Sequence, residues 1–397
     1  MARSEPAAPM PPTIRAWVRQ LRGHYKSSLE LVDSLPAPPI PGPNSSDIIV
    51  RVSYVALEFS IVHFMSGFPA LPFAPPLVPE LCVSGTVAVA GGKAPEGLRQ
   101  PGTRVLAMTD PMSMVFRGTG ALKECMRLPE AYVVPLSEPN AYVGEHGAGE
   151  HLVLSLAQGA GLISNGSTAL AMVRAAKVRS GQRVLVNGAS GSVGHIAAQL
   201  CRARGAVVVG VASGANEALI RGYGIDEVCF ILRYSPLRFW GNPANSACCC
   251  LQFVDYKEHA SLPDYLASAF GPQPFDSILD CVGSQALYAN SPRYLRPGGP
   301  LVNIGASDMG DGILRQMVRW FMNSSCPTWL GGIPRPYILF SNTPNIHEVL
   351  TLVEMVEQGR LKVILDSELA MEDLIKAYER VTSKRARGKV LIRIRAE

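Results

Sequence analysis

Val184-Leu-Val-Asn-Gly-Ala-Ser-Gly-Ser-Val-Gly-His195 joins three kinds of local structure in one short run. Val184–Val186 has strand character, Gly188, Gly191 and Gly194 make a glycine-rich turn, and Ile196, Ala197 and Leu200 continue at helical spacing. Glycine lets backbone approach a ligand closely, and the unpaired amides and dipole of a helix N-terminus favour an anion. Gly188, Ala189, Ser190, Gly191, Ser192, Val193 and Gly194 are therefore candidates to cradle the pyrophosphate of a dinucleotide. An ordinary strand-to-helix loop can carry the same glycines. The strand before and the helix after favour the site.

The chain has 397 residues, enough for two domains with buried cores. With 47% apolar and 17% charged residues it reads as a folded chain rather than a disordered one. No apolar run reaches the roughly 20 residues a membrane helix needs, so no membrane partner is expected. The net charge of +5 is modest. The densest basic cluster, Lys384-Arg385-Ala-Arg387-Gly-Lys389, falls between a helical and a strand pattern. It reads as a solvated turn, so no nucleic-acid partner is expected. The nine cysteines show no CxxC spacing, which points to reduced thiols. Pro6, Pro9, Pro11 and Pro12 would break the amphipathic helix of a mitochondrial leader, and a cytoplasmic location is expected.

Outward from the turn, strands and helices alternate. Helix Thr168–Ala176, strand Val184–Val186, helix Val193–Arg204, strand Val207–Ala212 and helix Glu217–Tyr223 are followed by strand Ser277–Asp280, helix Ala286–Leu295 and strand Pro300–Ile304. This order implies an α/β doubly wound parallel sheet. Before it, short strands (Ile14–Val18, Ile48–Val55, Leu81–Ala90, Arg104–Ala107, Tyr132–Val134) are separated by proline-rich links, as in a mainly β domain. The tail returns to that style, with helices Ile346–Gln358 and Met371–Thr382 and strands Lys362–Asp366 and Lys389–Ile394. The reading is a dinucleotide domain of 156–342 inserted into a β-rich domain of 14–155 and 343–397. Residues 1–13 read as a flexible extension.

Residues 228–252 do not fit. The stretch is strongly apolar, lacks acidic residues and carries four of the nine cysteines. Without it, Glu227 would join Phe253-Val-Asp-Tyr-Lys257 as a normal loop and strand. One reading is translated intron sequence, with codons that can begin GTATGT and end CAG. Its rival is a true loop beside the cofactor.

An NAD site usually places an acid at the end of the second strand to bind the ribose hydroxyls. Here Val208-Val-Gly-Val-Ala-Ser-Gly-Ala-Asn216 has none until Glu217. The missing carboxylate removes repulsion against a 2′-phosphate, and Ser213 can donate to one, so the cofactor is read as NADPH. The plainer reading of Ser213 is a cap for the next helix. Cys82, Cys125, Cys201, Cys281 and Cys326 are isolated and read as small buried apolar residues, so no metal site is expected. There is no Gly-x-Ser-x-Gly elbow for a hydrolase.

Four stretches together are specific: Val184 to Gly194, Phe275-Asp-Ser-Ile-Leu-Asp-Cys-Val-Gly283, Leu295-Arg-Pro-Gly-Gly-Pro-Leu-Val-Asn-Ile-Gly305 and Ala386-Arg-Gly-Lys-Val-Leu-Ile-Arg393. Through them the chain resembles the zinc-independent medium-chain dehydrogenase/reductases, in the quinone oxidoreductase (zeta-crystallin-like) and enoyl reductase branch. The resemblance covers nearly all of 14–396 except the insert. It implies a Rossmann domain inserted into a GroES-like catalytic domain, often as a homodimer. It also implies that Ser213 and Tyr256 hold the 2′-phosphate, and that Thr168, Val282 and Ala306 line the nicotinamide end. A lysine that some members place after the second strand stands here as Gly214.

The family segment Leu-Asn-x-x-Asp-x-Tyr reads Leu57-Glu-Phe-Ser-Ile-Val-His-Phe-Met-Ser-Gly67. Glu58 replaces the asparagine, Ile61 the aspartate and His63 an aromatic often near the nicotinamide. The zinc enzymes' Gly-His-Glu stands as Val78-Pro-Glu80, so the histidine ligand is lost. Such an enzyme would move a hydride from NADPH to a quinone or an activated C=C bond of a small apolar substrate. The developing enolate needs a hydrogen-bond donor and a proton. His63 is the candidate, since imidazole ordinarily exchanges a proton near neutrality; a packing role is the plainer reading. Glu58 reads as a structural or surface acid rather than a base. The alternatives are a trans-acting enoyl reductase of a polyketide pathway and a non-catalytic, crystallin-like NADPH-binding protein.

Overall fold

The computed structural model describes residues 10–20, 24–67, 77–137, 153–223, 251–305, 313–340 and 346–395. The chain divides into two compact units. The first comprises Met1–Ser167, Pro344–Gly359 and Val363–Glu397, and the second Thr168–Thr343 and Arg360–Lys362.

Valine-rich strands build the first unit. In chain order it has β1 (Thr13–Arg19), α1 (Tyr25–Ser28), β2 (Leu29–Pro36), β3 (Ile48–Ala56), α2 (Phe59–Gly67), β4 (Cys82–Ala90), β5 (Arg104–Met108), α3 (Pro111–Arg117), β6 (Cys125–Leu128) and β7 (Val133–Pro135). Helix α4 (Leu156–Ala175) crosses the division. The expected boundary at 155/156 is therefore displaced to Ser167/Thr168. The first half of α4 belongs with the β-rich unit because Ser84 Oγ donates to Leu156 O at 2.6 Å and Gly159 packs on Leu106. The expected flexible extension also ends too late. Met10 packs on the cluster of Ile14, Ile49, Ala88 and Cys125, Pro12 O accepts from Ala37 N–H, and β1 begins at Thr13.

The second unit alternates β8 (Arg183–Asn187), α5 (Gly194–Ala203), β9 (Val207–Ala212), α6 (Glu217–Arg221), β10 (Leu251–Asp255), α7 (Leu262–Phe270), β11 (Ser277–Asp280), α8 (Gln285–Ala289), β12 (Leu301–Asn303), α9 (Ile313–Ser325) and β13 (Tyr337–Leu339). Its six strands are all parallel, in the order β10-β9-β8-β11-β12-β13. That is the Rossmann order, with the chain direction across the sheet reversing between β8 and β11. The sheet closes on Leu185, Val209, Val211, Phe275, Ile278 and Leu301, all essentially buried. Most of the anomalous insert lies outside the described residues. Its last two residues are strand, since Leu251 and Gln252 pair with Val208 and Val209 of β9. The strand expected from Phe253 thus begins two residues earlier, within the anomalous stretch.

The chain returns to the first unit through α10 (Ile346–Glu357), β14 (Leu365–Ala370), α11 (Leu374–Thr382) and β15 (Lys389–Arg393). The expected strand Lys362–Asp366 shifts to β14, because Lys362 N–H is taken by Gln199 Oε1 at 2.8 Å. A seven-stranded sheet runs β14-β15-β3-β4-β5-β7, with β6 also on β3. Val50, Val52, Val83, Val105, Tyr378 and Ile392 form its core. Among the described residues, no helix is long and apolar enough to cross a membrane.

Candidate functional site

The glycine turn sits at the carboxyl end of β8, beside the strand-order reversal, where open parallel sheets bind ligands. Gly188 has φ +79°, a conformation side chains rarely adopt, and its N–H and that of Ala189 both donate to Val211 O at 3.0 Å. A Cβ on Gly194 would collide with the Gly188 carbonyl oxygen, so helix α5 can start this close to the strand only with glycine. No side chain caps the first turn of α5. Ser190, Gly191, Ser192 and Val193 are half-buried, within reach of a ligand. Buried His195 braces the turn, its Nδ1–H donating to Gly191 O at 2.8 Å. Burial pushes its pKa down to about 4, so the ring is neutral at physiological pH.

The ends of β9, β10 and β11 bring three of the other expected residues to the same edge. Ser213 follows β9 and opens a 3₁₀ turn, but its side chain makes no capping bond, so the plain capping role is not realised. Tyr256 follows β10, half exposed, with its N–H on Ala212 O at 3.3 Å. Val282 follows β11, and a Cβ on Gly188 would stand 2.9 Å from its Cγ2. Thr168 is half-buried in α4. Ala306 lies outside the described residues.

Three buried polar residues that sequence reasoning left without a role hold these loops. Asp280 accepts from the N–H groups of Val282, Gly283 and Ser284 at 2.8–3.0 Å and from Asn187 Nδ2 at 2.9 Å. Asn303 bonds Gly305 in both directions at 3.0 Å. The signal was present: each apolar strand β8, β11 and β12 ends in Asn or Asp. A fourth residue, Asp255, closes β10, and a Cβ on Gly214 would collide with its carboxylate. An acid thus stands beside the end of β9, at the end of the adjacent strand.

His63 lies in the first unit, half-buried on α2. Its Nδ1 bonds Phe59 O at 3.0 Å, and its ring packs on Phe59 at 4.1 Å. A neutral ring donating from Nδ1 keeps its acceptor at Nε2. Ile61 is a core residue. Glu58 is not a free base: Lys389 Nζ donates to its Oε1 at 2.6 Å. Glu58 N–H in turn donates to Glu80 Oε2 at 2.9 Å, and Tyr378 OH to Glu80 Oε1 at 2.8 Å. Burial, reinforced by the Glu58 charge, pushes Glu80 up to about 8. A zinc ion does not fit here, because the Pro79 side chain offers no ligand atom, its carbonyl is taken by Ala121 and Leu122 N–H, and the nearby Glu58 carboxylate is committed to an internal ammonium. Among the described residues no group of three or more His, Cys, Asp or Glu is placed to hold a metal.

Known proteins agree with this architecture. The zinc-binding dehydrogenase family matches residues 251–392. A medium chain reductase of Acremonium sp is 69% identical over 389 residues, covering 97% of this chain and 100% of that protein. A trans-enoyl reductase of Penicillium oxalicum is 30% identical over 407 residues, covering 97% and 99%. The solved quinone oxidoreductase of Coxiella burnetii shares the fold, with TM-score 0.70 at 21% identity, covering 96% of this chain and 100% of that one.

Two outcomes are expected from this geometry. Gly194→Ala should weaken nicotinamide-coenzyme binding by about tenfold or more, read by fluorescence titration with circular dichroism unchanged; wild-type affinity would refute the cradle. For Glu80, the folded state keeps a proton that the unfolded chain loses near its usual 4.5. Its stabilising contribution is therefore fully present at low pH and lost as pH rises to about 8. Thermal midpoints measured across that window should fall less for Glu80→Gln than for wild type, and parallel curves would contradict the assignment.

Proposed function

Because the chain belongs to the medium-chain reductases, we propose that it is an NADPH-dependent oxidoreductase of activated C=C bonds or quinones. The observation that carries this reading is the Gly188–Gly194 cradle at the strand-order reversal. NADPH, when bound, supplies the hydride. In this reading the α5 amides hold its pyrophosphate, Ser213 and Tyr256 hold the 2′-phosphate, and Thr168, Val282 and Ala306 border the nicotinamide. As the imidazolium, with Nδ1–H held by Phe59 O, His63 donates its Nε2–H to the substrate oxygen as negative charge develops on it and delivers that proton, leaving the neutral ring with its acceptor at Nε2. The name trans-enoyl reductase borne by the Penicillium oxalicum relative supports an enoyl substrate over a quinone, and an enoyl thioester of a polyketide pathway is the alternative within that class. Substrate reduction proceeds without metal, in keeping with Pro79 and the Lys389-bound Glu58.

Homodimer formation and a cytoplasmic location complete the proposal. The first is supported by β13, an edge strand of the parallel sheet, beside the exposed Met317 and Phe321 of α9. The second is supported by the unpaired thiols of Cys82, Cys125, Cys201, Cys281 and Cys326.

One observation favours a second coenzyme. The Asp255 carboxylate against Gly214 repels a 2′-phosphate and suits the free ribose hydroxyls of NADH. Ser213 and Asp255 then set the balance between the two coenzymes. Ser213→Ala should lower kcat/KM for NADPH, and Asp255→Asn should raise its ratio over NADH, each by about tenfold (~1.4 kcal/mol). Unchanged ratios would remove both residues from coenzyme selection.

A panel of enoyl thioesters, enones and quinones should give steady NADPH oxidation with at least one class. Coenzyme binding with no turnover on any of them would support the crystallin-like alternative. His63→Phe should lower kcat by about 10²-fold or more, the contribution typical of a positioned acid.

A further inference from the structure

Helix α2 is anchored at one residue. Leu57 N–H donates to Val390 O at 3.1 Å, which ties the approach to β15. Glu58, the next residue, is bound through its backbone N–H by Glu80 and through its carboxylate by Lys389. Its own carbonyl accepts from Ile61 and Val62 N–H at 3.2 and 3.4 Å, starting the helix. His63 follows a little more than one turn later and is held locally by Phe59. The place of its ring therefore follows from the place of Glu58.

The groups around Glu58 come from β15, α4, α11 and the segment before β4, and are themselves constrained. Lys389 on β15 is 3% exposed and donates a further bond to Asn165 Oδ1 on α4 at 3.3 Å. Asn165 turns its oxygen to the ammonium and leaves its buried Nδ2 without a partner. An unsatisfied buried donor costs about 1–3 kcal/mol. Glu80 has φ +70°, a left-handed conformation that is strained for glutamate, and this aims its carboxylate at Glu58 N–H and Tyr378 OH of α11. Buried Cys82 also neighbours both carboxylates and the ammonium.

A buried ion pair is a poor stabiliser, and an apolar pair of equal volume usually does as well or better. What it can provide is a unique geometry. We propose that Lys389 and Glu58 are positioning residues that set helix α2 so that His63 meets the substrate oxygen. The proposal rests on the His63 reading above.

Removing Lys389 alone would leave Glu58 buried and unpaired, so both charges are removed together in E58Q/K389M, which keeps the volume. With NADPH and the best substrate of the panel, E58Q/K389M should keep its thermal midpoint and KM while kcat falls about ten- to a hundredfold. In the H63F background the same pair of changes should cause no further fall. K389R, which keeps the charge, should retain most of the wild-type kcat. Wild-type kcat in E58Q/K389M, or an equal fall in both backgrounds, would overturn the positioning role while leaving His63 in place. Wild-type turnover in H63F would overturn the His63 reading and this proposal together.

Discussion

The Asp280 carboxylate receives hydrogen bonds from three consecutive backbone N–H groups and from the Asn187 amide. Such a convergence answers a problem every parallel sheet has. Its strands are buried on both faces, yet each must leave the sheet through a loop whose backbone polar groups need partners. Asp280 and Asn303 end β11 and β12 and provide those partners from inside the strand ends, while Asn187 at the end of β8 holds Asp280. The loops are thereby fixed against the sheet rather than held by solvent. Burial raises the Asp280 pKa, and the donors around it work against that rise. Because β8 and β11 flank the reversal of strand order, the loop that Asp280 shapes borders the turn that Gly188 begins. A rigid floor for a dinucleotide follows from ordinary satisfaction of backbone groups.

The first unit treats buried charge differently. Asp280 is satisfied almost wholly by backbone, whereas Glu58, Glu80, Lys389 and Tyr378 satisfy one another with side chains from separate elements. Two carboxylates share one ammonium, and the surplus is resolved by pushing Glu80 up to about 8, so that at neutral pH the group is nearly uncharged as a whole. A backbone-satisfied carboxylate rigidifies a single loop. A side-chain network couples β15, α11 and α4 to the start of one helix.

The sequence made some of this legible and hid the rest for physical reasons. The strand, glycine turn and helix are legible because their determinants, φ at Gly188 and close packing at Gly194, are local. The first half of α4 is hidden because Gly159, Gly161 and Gly166 depress helix propensity. Those glycines are present because Leu106, Leu365 and Leu352 press on the helix from elsewhere in the chain, the last within 2.7 Å of where a Gly166 Cβ would stand. Tertiary packing overrides local preference there. Strand β2 was masked by its polar, half-exposed residues and by Pro36. The partner of Glu58 lies 331 residues away, and no spacing rule reaches that far. Asp255 is hidden because it closes β10, far in sequence from Ser213, and only strand pairing brings the two ends together.

The name of the matching family and the chemistry of the site can be reconciled. The zinc-binding dehydrogenase match spans 251–392 and includes Asp280, β12 and Lys389, which concern the coenzyme sheet and the return strand. It does not include residue 79, where the zinc enzymes' histidine ligand is lost, or the Glu58 bonded to the neighbouring Glu80. At those positions stand a proline and a glutamate bonded to lysine. An ammonium held by carboxylate and amide oxygens already satisfies Glu58, and a cation competing for that carboxylate would have to leave Lys389 buried and unpaired. That is among the costlier arrangements in a protein interior. In the proposed reading, negative charge developing on a substrate oxygen is met by a hydrogen-bond donor, the part given to His63 on α2. The geometry of that helix then matters more than it would in an enzyme where a metal ion carries the charge.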